Sequence, residues 1–155
     1  MNPRRSLPAL AVTVLLLVGA AAFVRSVPAA PTLSAAKASV AVGKSNFGPI
    51  LFDGRGFALY AFTHDTRNKA TTCYGDCAEA WPPYIVAVRP SAGRGTKASL
   101  IGATRRRDGK LQATYAGRPL YYYEGDKAPG VVLCQNVAEF GGTWLVLRGS
   151  GKLVR

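Results

Sequence analysis

Acid, histidine, methionine and cysteine are scarce in this chain, and each scarcity closes a route to function. Eight Asp and Glu face twenty Lys and Arg, so the net charge is +12 at neutral pH. His64 is the single histidine and Met1 the single methionine. A zinc or copper centre would therefore have to gather His64, Asp65 and cysteines distant in sequence, and no metal site is expected. Neither a Gly-rich phosphate cradle nor a serine nucleophile elbow occurs, so no catalytic residue and no cofactor is assigned. With 17 Gly and 10 Pro, long helices are excluded. No cysteine follows the amino-terminal apolar run, which excludes a lipid-modified amino-terminal Cys.

That run is the first feature present. Arg4 and Arg5 precede apolar residues from Leu7 to Val24, followed by small residues through Ala29 and Ala30. The pattern reads as a secretory signal over residues 1–29, with an uncleaved membrane anchor as the alternative. Either way the rest of the chain is secreted or extracytoplasmic. Residues 30–39 are Ala- and Ser-rich and read as a flexible tether. Residues 40–155 have the size of one domain. Without Arg4, Arg5 and Arg25 the charge falls from +12 to +9, still strongly basic. Such a protein is drawn to anionic surfaces: phosphate-bearing cell-wall polymer or membrane headgroups. Arg105, Arg106 and Arg107 form the densest cluster, read as a solvated turn or as an anion-binding site. Export and the lack of a nucleic-acid motif argue against nucleic acid.

The domain is a duplication. Leu59-Tyr60-Ala61-Phe62-Thr63-His64-Asp65 matches Leu120-Tyr121-Tyr122-Tyr123-Glu124-Gly125-Asp126 at an offset of 61. Gly56 falls on Gly117 and Cys73 on Cys134 at the same offset, and Trp81 on Trp144 at 63. The repeat cores span about 56–81 and 117–144. Strand candidates are 39–42, 50–52, 57–63, 84–88, 99–105, 110–115, 118–124 and 143–147, with turns at Asp108-Gly109 and Ala116-Gly117. Only Cys77 to Trp81 reads as helix, stopped by Pro82-Pro83. The fold class is all-β: a small sandwich or partly closed barrel of two duplicated units related by a pseudo-two-fold axis.

Tyr60-Ala61-Phe62-Thr63-His64-Asp65 and Tyr121-Tyr122-Tyr123-Glu124-Gly125-Asp126 resemble the motif of a bacterial family. That family comprises secreted or lipoprotein repeats carrying Tyr-x-(Phe/Trp/Tyr)-x-x-Asp. The stretch from Cys73 through Cys77-Ala78 to Trp81-Pro82-Pro83, and the closing Gly141-Gly142-Thr143-Trp144, resemble further elements of it. The resemblance covers nearly all of the chain beyond the leader and implies repeats of unknown function. Members with a lipidated cysteine differ from this sequence in that respect.

The motif residues read first as architecture. Alternation places Tyr60 and Phe62 on one strand face with Leu59 on the other; Tyr121 and Tyr123 share the equivalent face. Buried, such rings contribute ~1.5–3 kcal/mol each; exposed, they would form a stacking platform for carbohydrate. Asp65 and Asp126 read as acceptors of backbone N–H bonds in the following turns. A general acid/base pair for a hydrolase is the distant alternative, since symmetric carboxylates lack the unequal environments it needs. In an oxidising compartment Cys73 and Cys77 form the nearest disulfide, leaving Cys134 free; pairing of Cys134 with either is the alternative. The leading reading is a non-catalytic envelope module that interacts with an anionic or carbohydrate surface. A thiol- or metal-linked redox protein using Cys73, Cys77, Cys134 and His64 is the alternative.

Overall fold

The structure, a computed structural model, describes residues 38–155. The leader read at 1–29, and most of the tether read at 30–39, lie outside the described residues. The order begins with β1 (Ser39–Gly43), β2 (Ile50–Asp53) and β3 (Tyr60–Phe62), then the helix α1 (Asp76–Ala80). Next come β4 (Ile85–Val86), β5 (Ser91–Ala92), β6 (Ile101–Arg105), β7 (Leu111–Tyr115) and β8 (Arg118–Pro119). The chain closes with β9 (Val137–Glu139) and β10 (Gly142–Val146).

The strands form three small sheets in a sandwich-like all-β arrangement that does not close into a barrel. Their orders are β2-β1-β5, β3-β10-β9 and β4-β7-β6, with β8 hydrogen-bonded to β7. The hairpins β1–β2 and β6–β7 are counterparts in the two repeats. Beyond these hairpins each repeat crosses over to pair with the other. β10, at the end of the second repeat, pairs antiparallel with β3 of the first, setting Trp144 opposite Phe62 and Val146 opposite Tyr60. Reciprocally, Pro83 of the first repeat bridges Tyr121 of the second, and β4 pairs with β7. Tyr60 and Tyr121 themselves exchange two backbone hydrogen bonds, 2.9 and 3.0 Å, across the pseudo-axis. Neither half completes its pairing alone.

Period-two alternation along β3 feeds two interiors at once. Leu59 and Ala61 join a cluster with Val40, Leu51, Ile101, Tyr115, Leu120 and Leu147. Tyr60 and Phe62 join the other, with Ile50, Cys73, Cys77, Trp81, Tyr121 and Trp144. A chain segment buried on both faces must be apolar on both, which is how the motif reads.

Most boundaries differ by a residue from those read in the sequence, and several by more, the 84–88 strand contracting to Ile85–Val86. The 57–63 strand contracts to Tyr60–Phe62, and the 118–124 strand to Arg118–Pro119 plus the single bridges at Tyr121. Pro82 and Pro83 have no N–H to donate, so the ladder beside Tyr121 cannot lengthen. Residues Ala98–Leu100 form a 3-10 turn ahead of β6. The helix lies one residue earlier than read, at Asp76–Ala80. β5 and β9 were not legible, being short and largely exposed.

Candidate functional site

The motif tyrosines and aspartates are joined crosswise between the repeats. Tyr60 donates its O–H to Asp126 Oδ2 at 2.7 Å, and Tyr121 donates to Asp65 Oδ2 at 2.5 Å. The second oxygen of each carboxylate takes a backbone N–H seven residues onward: Thr72 to Asp65 at 2.7 Å, Leu133 to Asp126 at 3.0 Å. Thr72 Oγ1 adds a further bond to Asp65, and Thr71 Oγ1 shares the Tyr121 hydroxyl. All four motif groups are buried. Burial, reinforced by the facing carboxylate, pushes both phenols far above their usual range, so they stay protonated donors. Burial likewise raises Asp126, opposed by the bonds from Tyr60 and Leu133. Both carboxylates are spent on internal partners and neither presents a free oxygen for acid/base chemistry.

Aromatic rings fill the space above these pairs as a column. Trp81 and Trp144 stack face to face at 4.1 Å with planes 1° apart. Phe62 continues the stack beyond Trp144 at 4.1 Å, and Tyr123 lies against Trp81 at 4.8 Å. Tyr60 and Tyr121 meet Trp81 and Trp144 edge-on, again symmetrically. Gly142 makes the stack possible: a Cβ there would stand 2.6 Å from Phe62 Cε2. Tyr60, Phe62, Trp81, Tyr121 and Trp144 are buried, which removes them as a platform for sugar rings; Tyr123 is half-buried.

Sulfur and histidine occupy the edges of this column. Cys73 and Cys77 form a disulfide, and Cys134 is a half-buried free thiol. Burial raises the Cys134 thiol, and the influence of Cys134 pushes the Tyr123 hydroxyl up to about 12. His64 is exposed, stacks on Phe62 and lies 3.2 Å from the Gly141 carbonyl through Nδ1. Among the described residues no three His, Cys, Asp or Glu side chains are arranged to hold a metal ion.

The arginine cluster occupies the β6–β7 hairpin tip and divides its labour. Arg106 turns inward and is buried, donating to Gln112 Oε1 at 2.9 Å, to the Cys73 carbonyl at 3.2 Å and to Asp108 at 3.3 Å. That corrects its reading as an anion-binding residue: its guanidinium holds the hairpin to the disulfide loop. Arg105 and Arg107 stay exposed, as does Lys110. Tyr74, between the two disulfide cysteines, is flanked by the guanidinium carbons of Arg106 and Arg107 at 4.4 and 4.0 Å. It also accepts the Arg107 backbone N–H at 2.9 Å. The acid at the tip, Asp108, is engaged by the Lys110 N–H at 3.0 Å and by Arg106, which hold it below the usual carboxylate range.

Several residues here were not singled out in the sequence. Glu139 accepts the Trp81 indole N–H at 2.9 Å. Asp53 is a third buried aspartate, binding Tyr122 O–H at 3.0 Å, Arg55 Nε at 2.9 Å and two backbone N–H groups. It borders a cleft of about 630 Å³ with Arg55, Tyr84, Ile85 and Tyr122, yet its oxygens are occupied. None of these has a counterpart 61 residues away, so duplication could not reveal them.

No curated protein and no solved structure matches the chain. A family model does, twice, over residues 41–84 and 102–148. These segments begin 61 residues apart, as Tyr60 and Tyr121 do, and each carries one tyrosine and one aspartate of the two crossed pairs. The chain belongs to the Lipoprotein_15 family, described as a secreted repeat of unknown function.

Proposed function

We propose that this protein is a non-catalytic extracytoplasmic module that binds a phosphate-bearing anionic polymer of the cell envelope through the β6–β7 hairpin tip. One observation carries the reading: Arg105, Arg107 and Lys110 project from a tip whose own acid is engaged and whose base is clamped to a disulfide loop. The distribution of acid supports it. Asp53, Asp65 and Asp126, three of the eight acids, are buried in structural bonds, so the surface is more cationic than the composition alone requires. The corresponding turn of the first repeat, Lys44-Ser45-Asn46-Phe47-Gly48-Pro49, has a single cation. The basic tip is thus a departure from the repeat.

The test is retention on immobilised inorganic polyphosphate and on a purified wall fraction across a salt series. Wild type binds at low salt and is released by added salt. The variant R105E/R107E/K110E loses retention and flattens the logarithmic salt dependence by about 2–3 charges. Equal retention of the variant, or binding to anionic vesicles but not to polymer, overturns the proposal.

A further inference from the structure

We infer that the cleft between the turn at 53–57 and the segment at 82–85 binds a carboxylate-bearing sugar, with Arg55 taking the carboxylate. At about 630 Å³ the cleft has the volume of an ordinary small-molecule site. None of Arg105, Arg107 and Lys110 lines it, so it is a second site, and nothing in its argument rests on the hairpin tip.

The guanidinium is set in place before any ligand arrives. Buried Asp53 accepts the backbone N–H of Arg55 at 2.9 Å, that of Phe57 at 3.0 Å, the Tyr122 O–H at 3.0 Å and Arg55 Nε at 2.9 Å. With its lone pairs used in this way, the carboxylate fixes the arginine and leaves the ligand to it. The rings of Phe57 and Tyr122 lie 5.1 and 5.6 Å from the guanidinium carbon and steady its faces. Nε is thereby spent, yet Nη1 and Nη2 make no hydrogen bond among the described residues, and the side chain is 69% exposed. A planar fork pinned at one end and open at the other fits a planar acceptor with two oxygens, which takes both N–H groups in parallel. The entropy of ordering a long side chain is already largely spent. Among the described residues Arg55 is the one cation lining the cleft, which suits a single carboxylate and not a doubly charged phosphate.

The rest of the cleft selects the body of the ligand. Pro82, Pro83 and the exposed Ile85 make an apolar wall. Facing groups are hydroxyls: Tyr84 donates to the Ser39 carbonyl at 3.1 Å and keeps its lone pairs, and Ser39 Oγ has no hydrogen-bond partner among the described residues. A pyranose ring has the same two sides, a C–H face that is apolar and an edge of hydroxyls that donate and accept. Gly54 keeps the floor open, since a Cβ there would stand 2.6 Å from Ser39 Oγ. The repeat shows that folding does not need this set. At the offset of 61, Asp53, Arg55 and Tyr122 answer to Thr114, Ala116 and Ala61, and the second copy of the unit forms its strands without them.

The test titrates the variant R105E/R107E/K110E, whose cleft is untouched, so that charge at the hairpin tip cannot supply the signal. With a short oligomer of galacturonic acid, the largest backbone amide shifts in the NMR spectrum should fall at 39, 53–57, 82–85 and 122. The methyl ester of the same oligomer keeps every ring and loses the charge, and it should bind about tenfold or more weaker. Arg55→Ala removes an exposed side chain and leaves Asp53 its other donors. It should weaken the acid by a similar factor and leave the ester within about twofold. Ile85→Glu, at an exposed position, sets a like charge beside the carboxylate and should act in the same direction. N-acetylmuramic acid carries its carboxylate on a lactyl ether; tighter binding of it names a wall amino sugar as the source, and tighter binding of the oligomer an acidic polysaccharide. Absence of shifts at the cleft with both acids, equal binding of acid and ester, or unchanged affinity in both Arg55→Ala and Ile85→Glu overturns the inference. Retention on polyphosphate reads the tip alone, so the two sites fail separately.

Discussion

The two crossed Tyr–Asp bonds are alike in geometry and should be unequal in worth. In Tyr121→Phe the Asp65 Oδ2 atom loses its 2.5 Å donor and Thr71 Oγ1 keeps only the Cys73 N–H of its two partners, both in the buried interior. A hydrogen bond to a charged acceptor contributes ~1.5–3 kcal/mol, and the second bond lost at the Thr71 hydroxyl adds a further cost, so we expect a loss of about 2–4 kcal/mol. Against a typical total of ~5–15 kcal/mol that is a severe change for one oxygen atom. In Tyr60→Phe the Asp126 carboxylate loses one donor. Its proton affinity is already raised by burial, so it can take up a proton and shed part of the penalty. The expected loss is smaller, about 1–2 kcal/mol.

The pH dependence of Tyr60→Phe follows from Asp126. The folded-state pKa of Asp126 lies above the ordinary 3.8. Its contribution to stability is therefore fully present below 3.8 and is lost as pH rises through the folded value. The cost of Tyr60→Phe should accordingly shrink as pH falls through that window, because a neutral carboxyl misses its donor less. Urea unfolding followed by tryptophan fluorescence measures both, with a midpoint shift of about 1–2 M expected for Tyr121→Phe near neutral pH. A loss below about 0.5 kcal/mol for Tyr121→Phe would refute the claim that the motif joins the halves. A pH-independent loss for Tyr60→Phe would refute the environment assigned to Asp126.

The same geometry sets three further expectations. Replacing Cys73 and Cys77 by serine opens a short loop and should cost about 2 kcal/mol in chemical denaturation while leaving the cooperative transition intact. Arg106→Met strands Gln112 Oε1 and the Cys73 carbonyl and should cost about 2–4 kcal/mol, whereas Arg105→Glu should stay within about 0.5 kcal/mol of wild type. Residues 38–98 and 99–155 expressed apart should each be unfolded by circular dichroism and recover strand signal on mixing, because β3 and β4 find their strand partners, β10 and β7, only in the other half.

Duplication made much of this fold legible. Tyr60, Asp65, Trp81 and their counterparts recur at fixed offsets because both copies sit in one interior about a pseudo-axis, where a change in one must satisfy its mate in the other. The Cys73–Cys77 pairing was readable from compartment and spacing. The crossed connection of the bonds was not, since an aspartate that caps a turn and one that also holds a distant tyrosine look the same in one dimension. Arg106 was equally opaque: three consecutive arginines carry no mark of which one turns inward. Glu139 and Asp53 were missed because each serves a single unrepeated partner, Trp81 and Tyr122.

Symmetry and its failures have different physical origins in this molecule. The two-fold relation survives in the buried tyrosines, aspartates and indoles, where each residue of one repeat is the environment of its equivalent in the other. It fails at the hairpin tips, at the cysteines and at the two ends of the aromatic column. A packed interior constrains those places least, so selection for anything other than folding can act there. The cations of the basic tip answer to the single Lys44 of the first repeat, and Tyr123 and the free Cys134 answer to Phe62 and the disulfide-bonded Cys73. The proposed anion-binding tip therefore belongs to the second copy alone. The matched residues hold the two halves together, and the unmatched ones are where this chain's own activity should be sought.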